Sequence, residues 1–336
     1  MASTTKRKRR RRRKAKNSWQ WLISAVAALL LAACGFVIQN YGGRYGIPTW
    51  SDLYGVFGIA ADGPDAALLA DSETTVTVLD VGQGDAVLVG QDGNYCLIDT
   101  GTAESQDTLI RALRQAGIQN LQYLVLTHPH ADHTGGALAV LENFPVSEVL
   151  LPVWRPTENG ATDWPDDLWV QAAAGGTTVS ETQAGDRYTL GDGVLEVLLG
   201  GNADTEDDDP NNASLCLLFE AGNFRYLATG DAEKQTEKTL VDRYGSGLQA
   251  NLYKAGHHGS STSSSAELLA VVRPQAAVIS CGVDNDYGHP HAETLQRLAD
   301  VGAAIYRTDT MGTITFTYEN GVLSATAAGQ TLDAAA

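Results

Sequence analysis

The stretch Leu124-Val125-Leu126-Thr127-His128-Pro129-His130-Ala131-Asp132-His133-Thr134-Gly135-Gly136 decides how the chain reads. Its apolar start reads as a buried strand, and Thr134-Gly135-Gly136 leads into a helical stretch over residues 137–142. Three of the chain's seven histidines and one aspartate crowd into the six residues 128–133. Extended backbone points residues two apart the same way, so His128 and His130 can share one metal ion. Asp132 and His133 fall where the chain turns and can face a second ion. Imidazole and carboxylate together suit zinc, manganese or iron. A polar loop with incidental histidines is the bland alternative, and the crowding argues against it.

Working outward, five further motifs stand around this one: Val81-Gly82-Gln83-Gly84-Asp85-Ala86, Leu97-Ile98-Asp99-Thr100-Gly101, Thr229-Gly230-Asp231, His257-His258-Gly259-Ser260 and Tyr287-Gly288-His289-Pro290. With the His-x-His-x-Asp-His pattern, and in this order, they resemble the metallo-β-lactamase superfamily and, within it, the ComEC-like hydrolase domains. The resemblance covers about residues 73–326 and is far more specific for fold than for substrate.

That resemblance implies a four-layer αββα sandwich with two divalent transition metals, zinc or manganese, at one edge between the sheets. It implies His128, His130 and Asp231 as ligands of the first metal, and Asp132, His133, Asp231 and His258 as ligands of the second. Asp231 would bridge the two. One histidine of the 257–258 pair completes the second site and the other faces substrate; the sequence does not separate them, and His258 is taken as the ligand. Asp132, His257 and His289 are the candidate catalytic groups, His289 holding substrate or giving a proton to the leaving group. Asp85 and Asp99 are either plain turn residues or, by the resemblance, the carboxylates that orient the histidines. Many superfamily members carry another ligating histidine near position 212, where this chain has none; Asn212 or Ser214 would contact substrate instead, or support the ligands from behind. Ser260 opens a Ser/Thr run that offers hydroxyls to an anion or simply forms a loop, and His291 may be read the same two ways, as a site residue or as a helix entrance.

Charge divides the chain. Ten of its 23 Lys and Arg fall within residues 6–16, leaving 13 basic against 40 acidic residues elsewhere, a formal −27. Phosphate binders usually show a basic footprint, so no stable nucleic-acid complex is expected. The basic tail, residues 1–17, precedes an uncharged stretch over 19–38 that is long enough to span a bilayer. Residues 18–38 therefore read as a transmembrane helix or signal anchor of a bacterial cell membrane, with the rest outside by the positive-inside rule. Leu31-Ala32-Ala33-Cys34 also resembles a lipoprotein cleavage box, which would lipidate Cys34 and keep the same topology. Residues 39–72 read as a linker, 73–326 as the hydrolase domain, and 327–336 as a tail, with disorder expected from 325 onward.

Cys96, Cys216 and Cys281 sit in apolar strand-like runs and read as packing thiols. Trp154, Trp164 and Trp169 either line a groove or pack under a long loop. Strands are predicted over 74–81, 86–89, 95–99, 122–126, 147–151, 215–219, 224–231, 251–256, 275–280, 306–309 and 312–318. Helices are predicted over 108–117, 232–244, 266–272 and 292–301. The expected function is a membrane-anchored, metal-dependent hydrolase that cleaves phosphodiesters of DNA or another anionic substrate with a hydroxide held between its metals. A cell-envelope esterase and a non-catalytic metal-dependent ligand-binding module are the alternatives.

Overall fold

The β-branched run Thr74–Val78 begins the first of sixteen strands in a computed structural model that describes residues 34, 63–64, 66–155, 163–165, 167–201, 209–327 and 330–332. In chain order these are β1 (Thr74–Val78), β2 (Val87–Gln91), β3 (Asn94–Ile98), β4 (Leu121–Val125), β5 (Val146–Pro152), β6 (Thr178–Thr182), β7 (Arg187–Leu190) and β8 (Gly193–Leu199). The second half holds β9 (Cys216–Ala221), β10 (Phe224–Ala228), β11 (Leu252–Lys254), β12 (Ala276–Ile279), β13 (Ala304–Arg307), β14 (Ile314–Glu319), β15 (Val322–Ala327) and β16 (Gln330–Leu332). They form two mixed sheets, ordered β16-β15-β14-β1-β2-β3-β4-β5-β6 and β13-β12-β11-β10-β9-β8-β7.

Period-two alternation assigns each side chain to a face. In β3, Cys96 and Ile98 join a cluster between the sheets, with Val76, Val89 and Val125 from the first sheet and Leu217, Phe219, Tyr226 and Val278 from the second. Leu97, between them in sequence, turns outward with Leu88 and Leu124 onto Leu109 and Leu113 of the helix Gln106–Gln115 and Val140 of the helix Ala137–Asn143. The second sheet repeats the scheme: Leu218, Leu227, Tyr253 and Ile279 pack on Leu240, Leu268, Leu269 and Leu298 of the helices Lys234–Tyr244, Ala266–Val272 and Ala292–Asp300. Helices thus cover both outer faces of the paired sheets, and each buried leucine contributes about 1.5–3 kcal/mol relative to exposure.

The parallel strands position the site. β3 and β4 run parallel, so Asp99 and the 128–133 loop leave the first sheet at the same end. In the second sheet β10, β11 and β12 are parallel, which brings Asp231, the 257–258 pair and Ser280 out at one end as well. Loops after the carboxyl ends of parallel strands are where such sheets build sites.

Several expectations are corrected. Asp132 and His133 lie on a one-turn helix, Ala131–Thr134, and not in an open turn. The expected disordered tail is in part sheet: Ala325 and Ala327 of β15 are buried, and β16 pairs beyond them. Residues 306–309, read as a strand, divide into the end of β13 and the helical turn Thr308–Met311. Trp154 and Trp164 pack inside the first helical layer, whereas Trp169 is 46% exposed. Strands β6 to β8 and the helix Leu168–Gly175 were not anticipated. Cys96, Cys216 and Cys281 are buried free thiols. Among the described residues no helix is long and apolar enough to cross a membrane. The stretch 19–38 lies outside the described residues except for Cys34, which is helical and exposed.

Candidate metal centre

All seven histidines belong to the motif loops, and their rings form one contiguous set. His128 contacts His130 and His133, His133 contacts His258, and His258 contacts both His257 and His289, which in turn meets His291. Asp231, 2% exposed, lies at the centre. Its Oδ1 is 3.3 Å from His133 Nε2, and its Oδ2 is 3.6 Å from His258 Nε2 and 3.9 Å from His128 Nε2. Asp132 Oδ2 approaches His258 Nε2 at 3.2 Å. Two overlapping ligand groups result, His128–His133–Asp231 and Asp132–His133–His258, each with its donor atoms within 4.8 Å of one another. His130 enters from the side, its Nδ1 3.0 Å from His128 Nε2.

The opposite nitrogen of each central imidazole is held from behind, which aims the free one. His133 Nδ1 is 2.7 Å from Asp99 Oδ2. Asp99 accepts further hydrogen bonds from the Thr127 N–H at 2.8 Å and the Thr127 hydroxyl at 2.7 Å. Asp99 adopts φ of 60°, a left-handed conformation that aspartate tolerates better than most residues. His128 Nδ1 lies 3.1 Å from Thr127 Oγ1. His258 Nδ1 lies 3.0 Å from the Ser280 carbonyl and 3.2 Å from Asp85 Oδ1. Asp85 and Asp99 are therefore buried beside His258 and His133.

Four carboxylates surround few cations, and the proton affinities show it. Burial disfavours a charged His258, but Asp231 and Asp85 outweigh it and push its pKa up to about 10. His133 moves the same way: burial opposes its cation, and Asp231 and Asp99 overcome that. Burial also disfavours the Asp231 carboxylate, yet His133 and His258 hold it well below the usual range. Asp132 falls to about 2 because His258 and His133 outweigh its burial. Burial, joined by the neighbouring His133 and His130, holds His128 well below the usual imidazole range despite Asp231 and Asp132.

The residues fit divalent cations on one decisive observation. His133 Nε2, His258 Nε2 and Asp231 Oδ1 are buried and converge, the first and last 3.3 Å apart and His258 Nε2 3.2 Å from Asp132, without a well-directed hydrogen bond among them. Buried polar atoms are rarely left unpaired. Imidazole with carboxylate is a donor set for first-row divalent metals.

The metallo-beta-lactamase superfamily profile matches residues 79–283. The chain belongs to that superfamily. Within it the chain resembles ComEC-like proteins. It is 34% identical to ComE operon protein 3 of Bacillus subtilis (strain 168) over 75% of this chain and 34% of that protein. It is 32% identical to competence protein ComA of Neisseria gonorrhoeae over 88% of this chain and 39% of that protein. The chain thus spans little more than a third of the length of these relatives. Among solved structures, CmlA, a diiron beta-hydroxylase from Streptomyces venezuelae, matches with a TM-score of 0.51 at 16% identity over 80% of this chain and 60% of that one, a likeness of fold.

The remaining residues named by resemblance to the superfamily fall into two groups. His257 is partly exposed, its Nε2 3.6 Å from Asp231 Oδ2 and its Nδ1 3.4 Å from Thr262 Oγ1. His289 is half-buried beside it, with a ring separation of 5.7 Å. Burial, then the neighbouring His258 and His257, push its pKa down to about 4. Both stand at the mouth of the site. Asn212 and Ser214, read as substrate contacts or supporting groups, are buried: Ser214 Oγ accepts the Asp231 N–H at 3.1 Å, and Asn212 Oδ1 accepts the Glu233 N–H at 3.1 Å. They brace the loop that carries Asp231. Ser260 is buried, with its Oγ 3.0 Å from Thr262 Oγ1. His291 precedes the helix Ala292–Asp300, and its Nδ1 accepts the Ser261 N–H at 2.9 Å. Sequence reasoning missed Lys254, which lies buried under the site against Asp85. Its signal was a lone lysine in an otherwise apolar short strand immediately before the histidine pair.

Proposed function

We propose that the chain is a metal-dependent hydrolase of the ComEC-like type that cleaves phosphodiester bonds, in DNA or another phosphorylated substrate. The observation that carries this reading is the convergence of three buried ligand atoms without well-directed hydrogen bonds, on His133, His258 and Asp231, from two sheets. His128, His130 and Asp231 would hold the first dication, and Asp132, His133, Asp231 and His258 the second, with zinc and manganese the favoured ions. When bound, the pair would acidify water toward neutrality and offset negative charge that develops on the ester.

The chain's own groups supply the rest. Asp99 and Asp85 keep His133 and His258 oriented, so no reorganisation is needed as charge develops. His257, held by Thr262, presents Nε2 at the site's edge for proton transfer. His289 is neutral at pH 7 and offers a ring nitrogen to the substrate or leaving group. The competence-protein relatives favour DNA. The acidic composition, with a formal charge of −17 for the whole chain, favours brief encounter over stable binding.

Residues 6–16 and 19–38 support a membrane anchor with the hydrolase domain outside the cell membrane. Protease added to spheroplasts should then digest the domain; protection until lysis would reverse the topology. Loss of lipid labelling in Cys34→Ala would identify the anchor as a lipoprotein, and unchanged behaviour as a helix.

The activity is tested on the full chain, purified in detergent and loaded with zinc or manganese, against DNA, bis-p-nitrophenyl phosphate and carboxyl esters. Phosphodiester turnover that disappears with chelator is the expected result. Turnover of carboxyl esters alone would make the protein an esterase, and binding without turnover would make it a metal-dependent ligand-binding module.

A further inference from the structure

Lys254 is 2% exposed, and its Nζ lies 2.6 Å from Asp85 Oδ2, with both side chains buried. A buried ammonium is costly unless it is paired and hydrogen-bonded, and its remaining contact is the Ala255 carbonyl at 3.1 Å. By contrast, the pairs Arg155–Glu181, Arg187–Glu196 and Arg225–Glu220 are open to solvent. The two partners also come from different sheets. Asp85 lies on the loop between β1 and β2, and Lys254 ends β11, immediately before the turn that carries His258.

Asp85 divides its oxygens. Oδ2 faces Lys254, and Oδ1 lies 3.2 Å from His258 Nδ1, an ion-pair contact beside the hydrogen bond of that nitrogen with the Ser280 carbonyl at 3.0 Å. The ammonium therefore fixes the carboxylate rotation that points Oδ1 at the imidazole, and the imidazole's Nε2 is aimed at Asp132 and Asp231 in turn. Without it, Asp85 could turn Oδ2 toward His133, with which it and Asp99 form a third group of potential ligands. Two further hydrogen bonds tie the same loops across the sheets: the Ser280 hydroxyl donates to the Gly84 carbonyl at 2.7 Å, and the Gly282 N–H to Gln83 Oε1 at 3.1 Å.

We propose that Lys254 is a positioning residue that aligns the half-sites of the two sheets, setting the second metal site through Asp85 and His258. It touches neither metal nor substrate. Its influence falls selectively on the second ion, because the first is held by His128, His130 and Asp231, none of which contacts Asp85 in the geometry above. The inference rests on the two-metal reading of the site and deepens it.

The test is zinc titration of the full chain in competition with a chromophoric chelator, alongside thermal melting. Lys254→Met, which keeps the length of the side chain and removes its charge, should weaken the second zinc about 10- to 100-fold, the usual effect of losing an outer partner of a ligand. The first zinc should change less than about threefold. If Lys254 acts through Asp85, adding Lys254→Met to Asp85→Asn should weaken the second zinc no further than Asp85→Asn does. The double variant also removes both buried charges, so it carries the test if Lys254→Met alone does not fold. Wild-type affinity for both ions in Lys254→Met, parallel loss of both ions with melting temperature, or a further tenfold loss in the double variant would each overturn the proposal. Failure of the wild-type chain to bind two zinc ions would instead overturn the two-metal reading.

Discussion

Replacing Asp231 with Asn removes one negative charge and almost no volume from the centre of the site. Its carboxylate faces four imidazole nitrogens, those of His133 at 3.3 Å, His258 and His257 at 3.6 Å and His128 at 3.9 Å, so both proposed metal sites lose their shared anion at once. The fold should survive. The residue-231 N–H still reaches Ser214 Oγ, His133 keeps Asp99, and His258 keeps Asp85 and Asp132. Catalysis should not. Losing a preorganised electrostatic group typically costs on the order of 10²- to 10³-fold in rate, and a loss of ~10² equals about 2.7 kcal/mol of transition-state stabilisation. Turnover of bis-p-nitrophenyl phosphate, metal content and melting temperature measured on one preparation separate these effects. A folded Asp231→Asn protein that retains two metals and wild-type turnover would refute the assignment of Asp231 as the shared ligand.

Other outcomes follow from the same geometry. A chelator should lower the melting temperature as well as abolish turnover, because a ligand that binds only the folded state stabilises it by mass action; an unchanged melt would show that the cage holds no structural share of the metal. Gly84→Ala should destabilise by about 1–3 kcal/mol, the usual range for overpacking, measured by urea unfolding. A Cβ there would stand 2.6 Å from the Asp132 carbonyl oxygen, which the Asp85 N–H also uses; wild-type stability would mean that the one-turn helix yields readily. His291→Ala removes a single acceptor from the Ser261 N–H and should cost about 0.5–1.5 kcal/mol with little change in turnover. A loss of 10²-fold in rate would move His291 into the chemistry.

The chain's chemistry was more legible than its perimeter. β-branched and apolar runs marked the strands next to the motifs, because a strand buried on both faces must be apolar along its length. Asp99 and His133 could be placed as partners only through resemblance, since local spacing carries no information about a contact made through the fold. The edge of the first sheet was lost for a different reason. Ala325, Thr326 and Ala327 are small residues with a weak hydrophobic signal, yet the alanines fill the narrow space between the sheets. β6 and β7 mix Ser, Thr, Glu and Arg at half-exposed positions, so their alternation is faint. Asn212 and Ser214 stayed open between two readings because a polar residue beside a motif has the same appearance whether it faces substrate or braces a loop. Lys254 was missed because its partner lies across the sandwich.

The division of the cluster between two sheets has a consequence for when the protein becomes dangerous. His128 to His133 arrive early in the chain and Asp231 to His258 about a hundred residues later. The first sheet is completed only by β14 to β16 at the end. Neither part alone gathers the shared carboxylate with its imidazoles, and contacts of such long range are among the last to become favourable during folding. An emerging chain therefore carries its histidines as inert cargo. The proposed hydrolytic site is armed by closure of the sandwich itself, an interlock built into the fold.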